Sequence, residues 1–348
     1  MYINTRLYKK SAELLHLPII EHEDFWMIEI PLGNRNYFFW NRINSFSIQA
    51  NVIIGIDRLL INKILRRVKL PVTKMIKIKR EDFESKNWSL NPLKFPVNIM
   101  TAYDFAYQAD TICNIGTQHN LLDHMKLVFD ECEEIVIEEF DPRLKAYNVF
   151  LFKNKILSCA SLHSAFVIGD GIHTIAQLME IENDRRSALV ETVDIGLLKM
   201  DLGYKENLHS LGLSLDHIPE ADEKIILTLD PSPQRGGSTQ SFDIKRIHPH
   251  IAQTLIKAST VLNLECISFN ISCKDISEPP NTQPLFISPC CYPDLSMHET
   301  PLSGEGIAIS KIMLKDLIYR HPFSYLKHIL YSLFNHNNEE QPHEITSR

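Results

Sequence analysis

The stretch Phe166-Val-Ile-Gly-Asp-Gly-Ile-His-Thr-Ile175 sets an acid between two glycines, with a histidine three residues after the acid. Gly169 and Gly171 give the backbone positive φ or close approach to a neighbour, and His173 is a residue type suited to acid or base work. The same residues also make a tight turn with a hydrogen-bonded structural histidine, opening a helix at Thr174. A second glycine pair, Gly236-Gly237 followed by Ser238, lies in the turn-rich run 231–239. Cys290, Cys291 and His298, with Cys273, are soft donors of the type zinc takes, but their spacing matches no standard zinc motif. No Gly-x-Ser-x-Gly elbow is present to make a serine nucleophile.

These groups need a scaffold, and the composition allows a large one. The chain has 348 residues, 44% hydrophobic, enough for two or three domains or subdomains. A formal charge of -7 opposes a nucleic-acid-binding face, which needs concentrated basic charge to displace counterions from phosphates. Arg6, Lys9 and Lys10 precede no continuous apolar stretch or cleavage site, and no apolar run reaches the ~18 residues of a membrane span. A cytoplasmic protein with no nucleic-acid or membrane partner is expected. Seven scattered cysteines without a Cys-x-x-Cys pair read as reduced thiols.

Residues 1–50 read as a small α/β or β-rich lead-in, with a turn at 31–34 and an aromatic strand at 37–40. Apolar residues at helical spacing (Ile56, Leu59, Leu60, Ile64, Leu65, Val68) predict a helix over 51–68, stopped by Pro71. The eight basic residues between Lys63 and Arg80 read as a solvated helix face and strand edge, with phosphate binding as the alternative. Strands are expected at 95–101, 111–115, 135–140, 150–160, 266–272 and 285–287, the fourth with a turn at Lys153-Asn154. Helices are expected at 120–129, 174–183 and 249–262, with helical segments at 307–334 broken by Pro322. The alternation implies α+β layers. The polar end is expected to be disordered.

The Gly-Asp-Gly-x-His-Thr-Ile run, the segment Asp57-Arg-Leu-Leu-Ile-Asn-Lys-Ile-Leu-Arg-Arg-Val-Lys-Leu-Pro-Val72 and the set Pro293, Leu295, Met297, His298 together resemble the ATP-grasp ligases of the cyanophycin-synthetase and glutathione-synthetase type. The resemblance covers roughly 51–301. It implies an α+β ATP-grasp fold: a lid subdomain at about 95–137 plus a larger antiparallel-sheet subdomain with helices, flanked by C-terminal helices over 302–336 and a disordered tail at 337–348. Such enzymes use ATP and magnesium to activate a carboxylate as an acyl phosphate for attack by an amine.

The resemblance also assigns positions, and most carry the wrong chemistry. Met100 stands where a nucleotide-binding lysine is expected, and the lid run 102–110 contains no glycine. Glu138, Glu139 and Phe140 occupy the adenine hinge. Asn270, Ser288 and Cys290 fall on the magnesium ligands, where hard oxygen donors are required. Gly169, Asp170, Gly171, His173, Gly236, Gly237 and Ser238 fall in the regions that shape the acceptor site. The expectation is a catalytically degraded relative, a pseudoenzyme with no cofactor that binds a peptide, an amino-acid-like ligand or a protein partner, with homo-oligomerisation open. The alternative is a working ATP- and magnesium-dependent carboxylate-amine ligase whose metal is held by residues such as Asp275, Glu278, Asp294 or Glu299.

Overall fold

The computed structural model describes residues 1–46, 57–101, 111–189, 192–193 and 195–339. In chain order the elements are α1 (Ile3–Leu14), β1 (Ile20–His22), β2 (Met27–Leu32), β3 (Arg35–Trp40), β4 (Ile43–Asn44), α2 (Arg58–Arg67), β5 (Met75–Lys79), α3 (Arg80–Glu84), β6 (Val97–Thr101), β7 (Ile112–Ile115), α4 (Gln118–Phe129) and β8 (Glu134–Glu139). There follow β9 (Lys145–Phe152), β10 (Lys155–His163), β11 (Phe166–Ile168), α5 (Ile175–Ser187), α6 (Leu202–Ser210), β12 (Lys224–Ile226), β13 (Ser238–Phe242), α7 (Pro249–Leu262), β14 (Cys266–Cys273), β15 (Leu285–Cys290), α8 (Ser296–Glu299), α9 (Ile309–Arg320) and α10 (Pro322–Glu339).

Two compact units result. The first joins Met1–Phe46, Asp294–Ser296 and the residues from Ala308 onward, so the lead-in and the C-terminal helices, read from sequence as separate segments, share one core. Its sheet runs β1-β2-β3-β4, and the alternation of β3 turns Tyr37 and Phe39 inward. The Tyr8 ring of α1 lies 4.4 Å from that of Phe39, and α1 packs in turn on α9. Helix α10 continues to Glu339; the rest of the expected tail, 340–348, lies outside the described residues.

The second unit spans Ser47–Pro293 and Met297–Ile307 and holds three sheets. The largest, β13-β10-β9-β14-β15, is antiparallel, and one of its faces is covered by α2 and α7 through Leu65, Ile251, Leu255, Val149, Phe269 and Ile271. Its β9–β10 hairpin turns at Lys153 and Asn154, both with positive φ, as a two-residue type I′ turn requires. The second sheet, β5-β8-β6-β7, packs on α4 and includes Met75–Lys79, which precedes the 95–137 bounds expected for the lid. The third pairs β11 with β12 beside α5 and α6, and α6 is a helix that the periodicity did not reveal.

Local signals explain several of these elements. Asp57 caps α2 by accepting from the amides of Leu59 (2.9 Å) and Leu60 (3.0 Å). The helix begins there; residues 51–56 of the expected 51–68 helix and the lid run 102–110 lie outside the described residues. Lys77 is not a solvated edge lysine: it bridges Asp57 (3.1 Å) and Glu134 (3.2 Å), and although burial opposes its charge, these two partners hold its pKa above the ordinary value. No described helix is long and apolar enough to cross a membrane.

Candidate functional site

The sheet face opposite the α2/α7 core carries a cluster of polar side chains beside the buried Phe150. Strand alternation sends Val149, Ile267, Phe269 and Ile271 into the core and leaves Asn148, Ser268, Asn270, Ser288 and Cys290 on the other side. Asn148, Asn270 and Ser288 stand directly opposite one another across β9, β14 and β15, and Cys290 opposes Ser268 on the next row. The fold therefore brings together the three positions that the resemblance assigned to the metal.

Their donors do not suit magnesium. His298 is buried, with Nδ1 3.1 Å from Ser158 Oγ and Nε2 3.0 Å from Asn148 Oδ1. Asn148 Nδ2 donates to Asn270 Oδ1 (2.7 Å) and reaches Ser268 Oγ (3.4 Å). That network assigns the imidazole proton to Nε2, facing the Asn148 oxygen, and Nδ1 then accepts from the Ser158 hydroxyl. One lone pair of the Asn270 carbonyl is engaged, the row carries no carboxylate, and the Cys290 thiol donates to the Tyr292 carbonyl (3.3 Å). Hard divalent cations need charged oxygen donors, which this face lacks.

The other metal candidates are dispersed. Cys273 and Cys291 belong to the core face, away from Cys290, and His298 has both ring nitrogens engaged, so the soft-donor set considered for zinc does not converge. Asp275 accepts from the Ser277 amide (2.9 Å) and pairs with Lys145 (3.4 Å), while Asp294 lies in the first unit, paired with Arg42 at 2.5 Å. Among the described residues no three His, Cys, Asp or Glu side chains form a group fit for a metal ion.

The lid positions lie in the second sheet. Met100, opposite Val136, is buried with Val136 against Met75. Glu138, opposite Asn98, accepts from the Thr73 hydroxyl (3.2 Å); burial pushes its carboxyl above the ordinary range despite Arg58, Thr73 and Asn98. Glu139 accepts from the Lys94 amide (3.0 Å) and pairs with Lys74 (3.4 Å), and the Phe140 amide donates to the Pro96 carbonyl (3.0 Å). These bonds fix the end of β8 to its neighbours.

A charged cluster that the sequence did not reveal lies beside Glu138. Arg235 is almost wholly buried and pairs with Asp201 (2.7 Å) and Asp230 (3.4 Å). Arg58 acts electrostatically on both Glu138 and Asp230. Burial pushes the Asp230 carboxyl up, and it pushes the Cys113 thiol well up, with Asp230 and Glu138 adding to the effect. Three carboxyls thus face two guanidiniums. Burial favours the neutral forms of Glu138 and Asp230, and Arg235 with Asp201 is the closest ion pair of the cluster. The one local signal was Asp201, which caps α6 by accepting from the Tyr204 amide (3.1 Å).

The acceptor-site candidates form two groups. Gly169 runs against the Pro219–Glu220 backbone, where a Cβ would collide with the Glu220 carbonyl oxygen. Asp170 accepts from the amides of Ile172 (2.9 Å) and His173 (2.8 Å) and pairs with His173 Nδ1 (2.6 Å); the His173 amide and ring bonds lead the effects that bring its carboxyl down to about 2. Gly171 takes φ +73°, and Thr174 with Gln177 closes a capping box on α5. At the far end of α5, Arg186 donates to the carbonyls of Gly196 (2.8 Å) and Gly236 (2.7 Å). Gly236 takes φ +79° with the Tyr204 hydroxyl 2.6 Å from where a Cβ would sit; Gly237 follows, and Ser238 pairs opposite His163. His173 thus lies just before the 13-residue helix α5, while Gly236 is tied to Arg186 in its last turn. Gly169→Ala should lower stability by about 3 kcal/mol, since the backbone it meets cannot yield as a side chain would. A urea-melt difference under 1 kcal/mol would show that the 219–220 segment moves freely.

No family model matches the chain. The bifunctional glutathione biosynthesis protein GshAB of Mannheimia succiniciproducens is 26% identical over 188 residues, 52% of this chain and 24% of that protein. Cyanophycin synthetase of Crocosphaera subtropica is 27% identical over 179 residues, 49% of this chain and 20% of that protein. The match spans about a quarter or less of the length of these relatives. Among solved structures, a bifunctional glutathione synthetase from Pasteurella multocida superposes with a TM-score of 0.59 at 16% identity, covering 92% of this chain and 44% of that one. With antiparallel sheets and helices arranged as in that synthetase, the chain has the ATP-grasp fold, and its sequence is similar to parts of two kinds of ATP-grasp ligase.

Proposed function

We propose that this chain is a pseudoenzyme of the ATP-grasp ligases, a binding module that retains the scaffold of a carboxylate-amine ligase without its phosphoryl chemistry. The observation that carries this reading is the polar cluster on β9, β14 and β15. Its three metal positions hold an amide, a hydroxyl and a thiol, and the amide oxygen already accepts from Asn148. The apolar setting of Met100 supports it, because that position supplies no positive charge to a triphosphate. The relatives' names point to peptide-like products, so the ligand class is a peptide, an amino-acid-like molecule or a protein segment.

Titration calorimetry with ATP and magnesium tests the proposal. The expected result is no measurable heat up to roughly millimolar nucleotide, the weak end of ligand affinities. Low-micromolar, magnesium-dependent binding would overturn it in favour of a working ligase with its metal ligands elsewhere.

A further inference from the structure

The outer face of α10 carries an apolar stripe with no cover among the described residues of the first unit. Phe323, Leu326, Leu330 and Leu333 recur at spacings of three and four, the a/d pattern of a helix-pairing seam, and Tyr331 and Phe334 flank them. All six are more than half exposed, with Phe323 at 85%. Tyr319 at the end of α9, 79% exposed, extends the patch. At ~200 Å² per ring, the four aromatic side chains alone leave about 600 Å² in water, the upper end for the largest patch on a monomer. The three leucines bring the total near the ~800 Å² that each partner contributes to a stable interface.

We propose that this stripe is a homodimer interface in which α10 of one copy packs antiparallel on α10 of a second. The spacing is self-complementary about a two-fold axis near His328: Leu326 meets Leu330 of the second copy, and Phe323 meets Leu333. Three-four packing at about 20° between axes accommodates this seam. A membrane surface fits the stripe less well. An interfacial helix keeps a basic polar face in water, whereas the inner face of α10 is committed to its own unit, with Tyr325 Oη donating to the Leu15 carbonyl (2.8 Å) and the helix packed on α9. The exposed arc carries a single lysine, Lys327, and the chain as a whole is negative. This assignment is independent of the nucleotide question.

Sedimentation equilibrium of the full chain over roughly 1–100 µM, the range in which such interfaces dissociate, reads the state directly. The expected species has twice the 40.2 kDa chain mass, and Leu326→Glu and Leu330→Lys each reduce it to the monomer mass. Mixing the two variants should restore the dimer, because residue 326 of one copy faces residue 330 of the other; this outcome also shows that both variants are folded. A monomeric wild type across the range, or failure of the mixture to associate when both variants keep the wild-type circular dichroism, would overturn the proposal. So would cosedimentation of monomeric wild type with phosphatidylserine vesicles that Leu326→Glu abolishes.

Discussion

Replacing Arg235 by leucine should cost about 3–5 kcal/mol of stability at neutral pH, the penalty for leaving buried carboxylates without their cation. Arg235 lies between Asp201 at 2.7 Å and Asp230 at 3.4 Å, all three largely shielded from water. Its backbone is tied in as well, since the Tyr204 hydroxyl donates to the Arg235 carbonyl at 2.5 Å. The loss should depend on pH with a definite sign. Burial already raises the folded-state pKa of Asp230, so this group favours the fold when protonated and loses that contribution as pH rises through its folded value. Arg235 pulls this pKa down, and removing it moves the folded value higher still. The deficit of the variant should therefore be largest above the raised range and shrink as pH falls through it. Urea melts at two pH values, near neutral and about two units lower, measure this. A pH-independent deficit, or one under 1 kcal/mol at neutral pH, would mean that the cluster is hydrated rather than buried. Adding Asp230→Asn to the leucine variant should recover more than ~1 kcal/mol, as expected for directly coupled neighbours.

The same cluster marks where sequence reading stops. Short-range features were legible because their physics is local: the Asp57 cap, the Thr174–Gln177 capping box and the Lys153-Asn154 turn each act within a few residues. The polar row of β14 and β15 was legible through family resemblance, because strand register preserves which positions share a face. Arg235 and Asp230 carry no such signal, and Asp201 shows only as the cap of α6; their pairing exists only after the loop before β13 folds against the start of α6. The engagement of His298 with Asn148 and Ser158 is likewise set by residues about 140–150 positions away. Helix α6 escaped notice because its buried residues, Gly203, Tyr204 and Leu208, form too short and mixed a pattern to show a period. The tie between Gly236 and the last turn of α5 is also tertiary and absent from sequence order.

Rebuilding the metal ligands should restore nucleotide binding without restoring turnover. In the variant Asn270→Asp, Ser288→Glu, Cys290→Asn the three changes fall on adjacent rows of one sheet face, and the Asn148 Nδ2 that now donates to Asn270 at 2.7 Å can donate equally well to a carboxylate. Two hard anionic donors then lie on opposed strands, and magnesium-dependent nucleotide affinity should rise at least about tenfold. Acceptor-dependent ADP release should nevertheless stay at background. Met100 remains in an apolar cluster with Val136 and Met75 and supplies no positive charge. Charge stabilisation by lysines and metal is the larger part of phosphoryl transfer, so supplying the metal alone leaves most of the barrier in place. The measurement is ADP release over a panel of amino-acid and dipeptide acceptors, wild type beside the triple variant, with Met100→Lys added in a third arm. A wild-type chain that releases ADP only when an acceptor is present would defeat the pseudoenzyme reading whatever the variants do. Full turnover from the triple variant alone would instead show that the metal ligands were the one part missing.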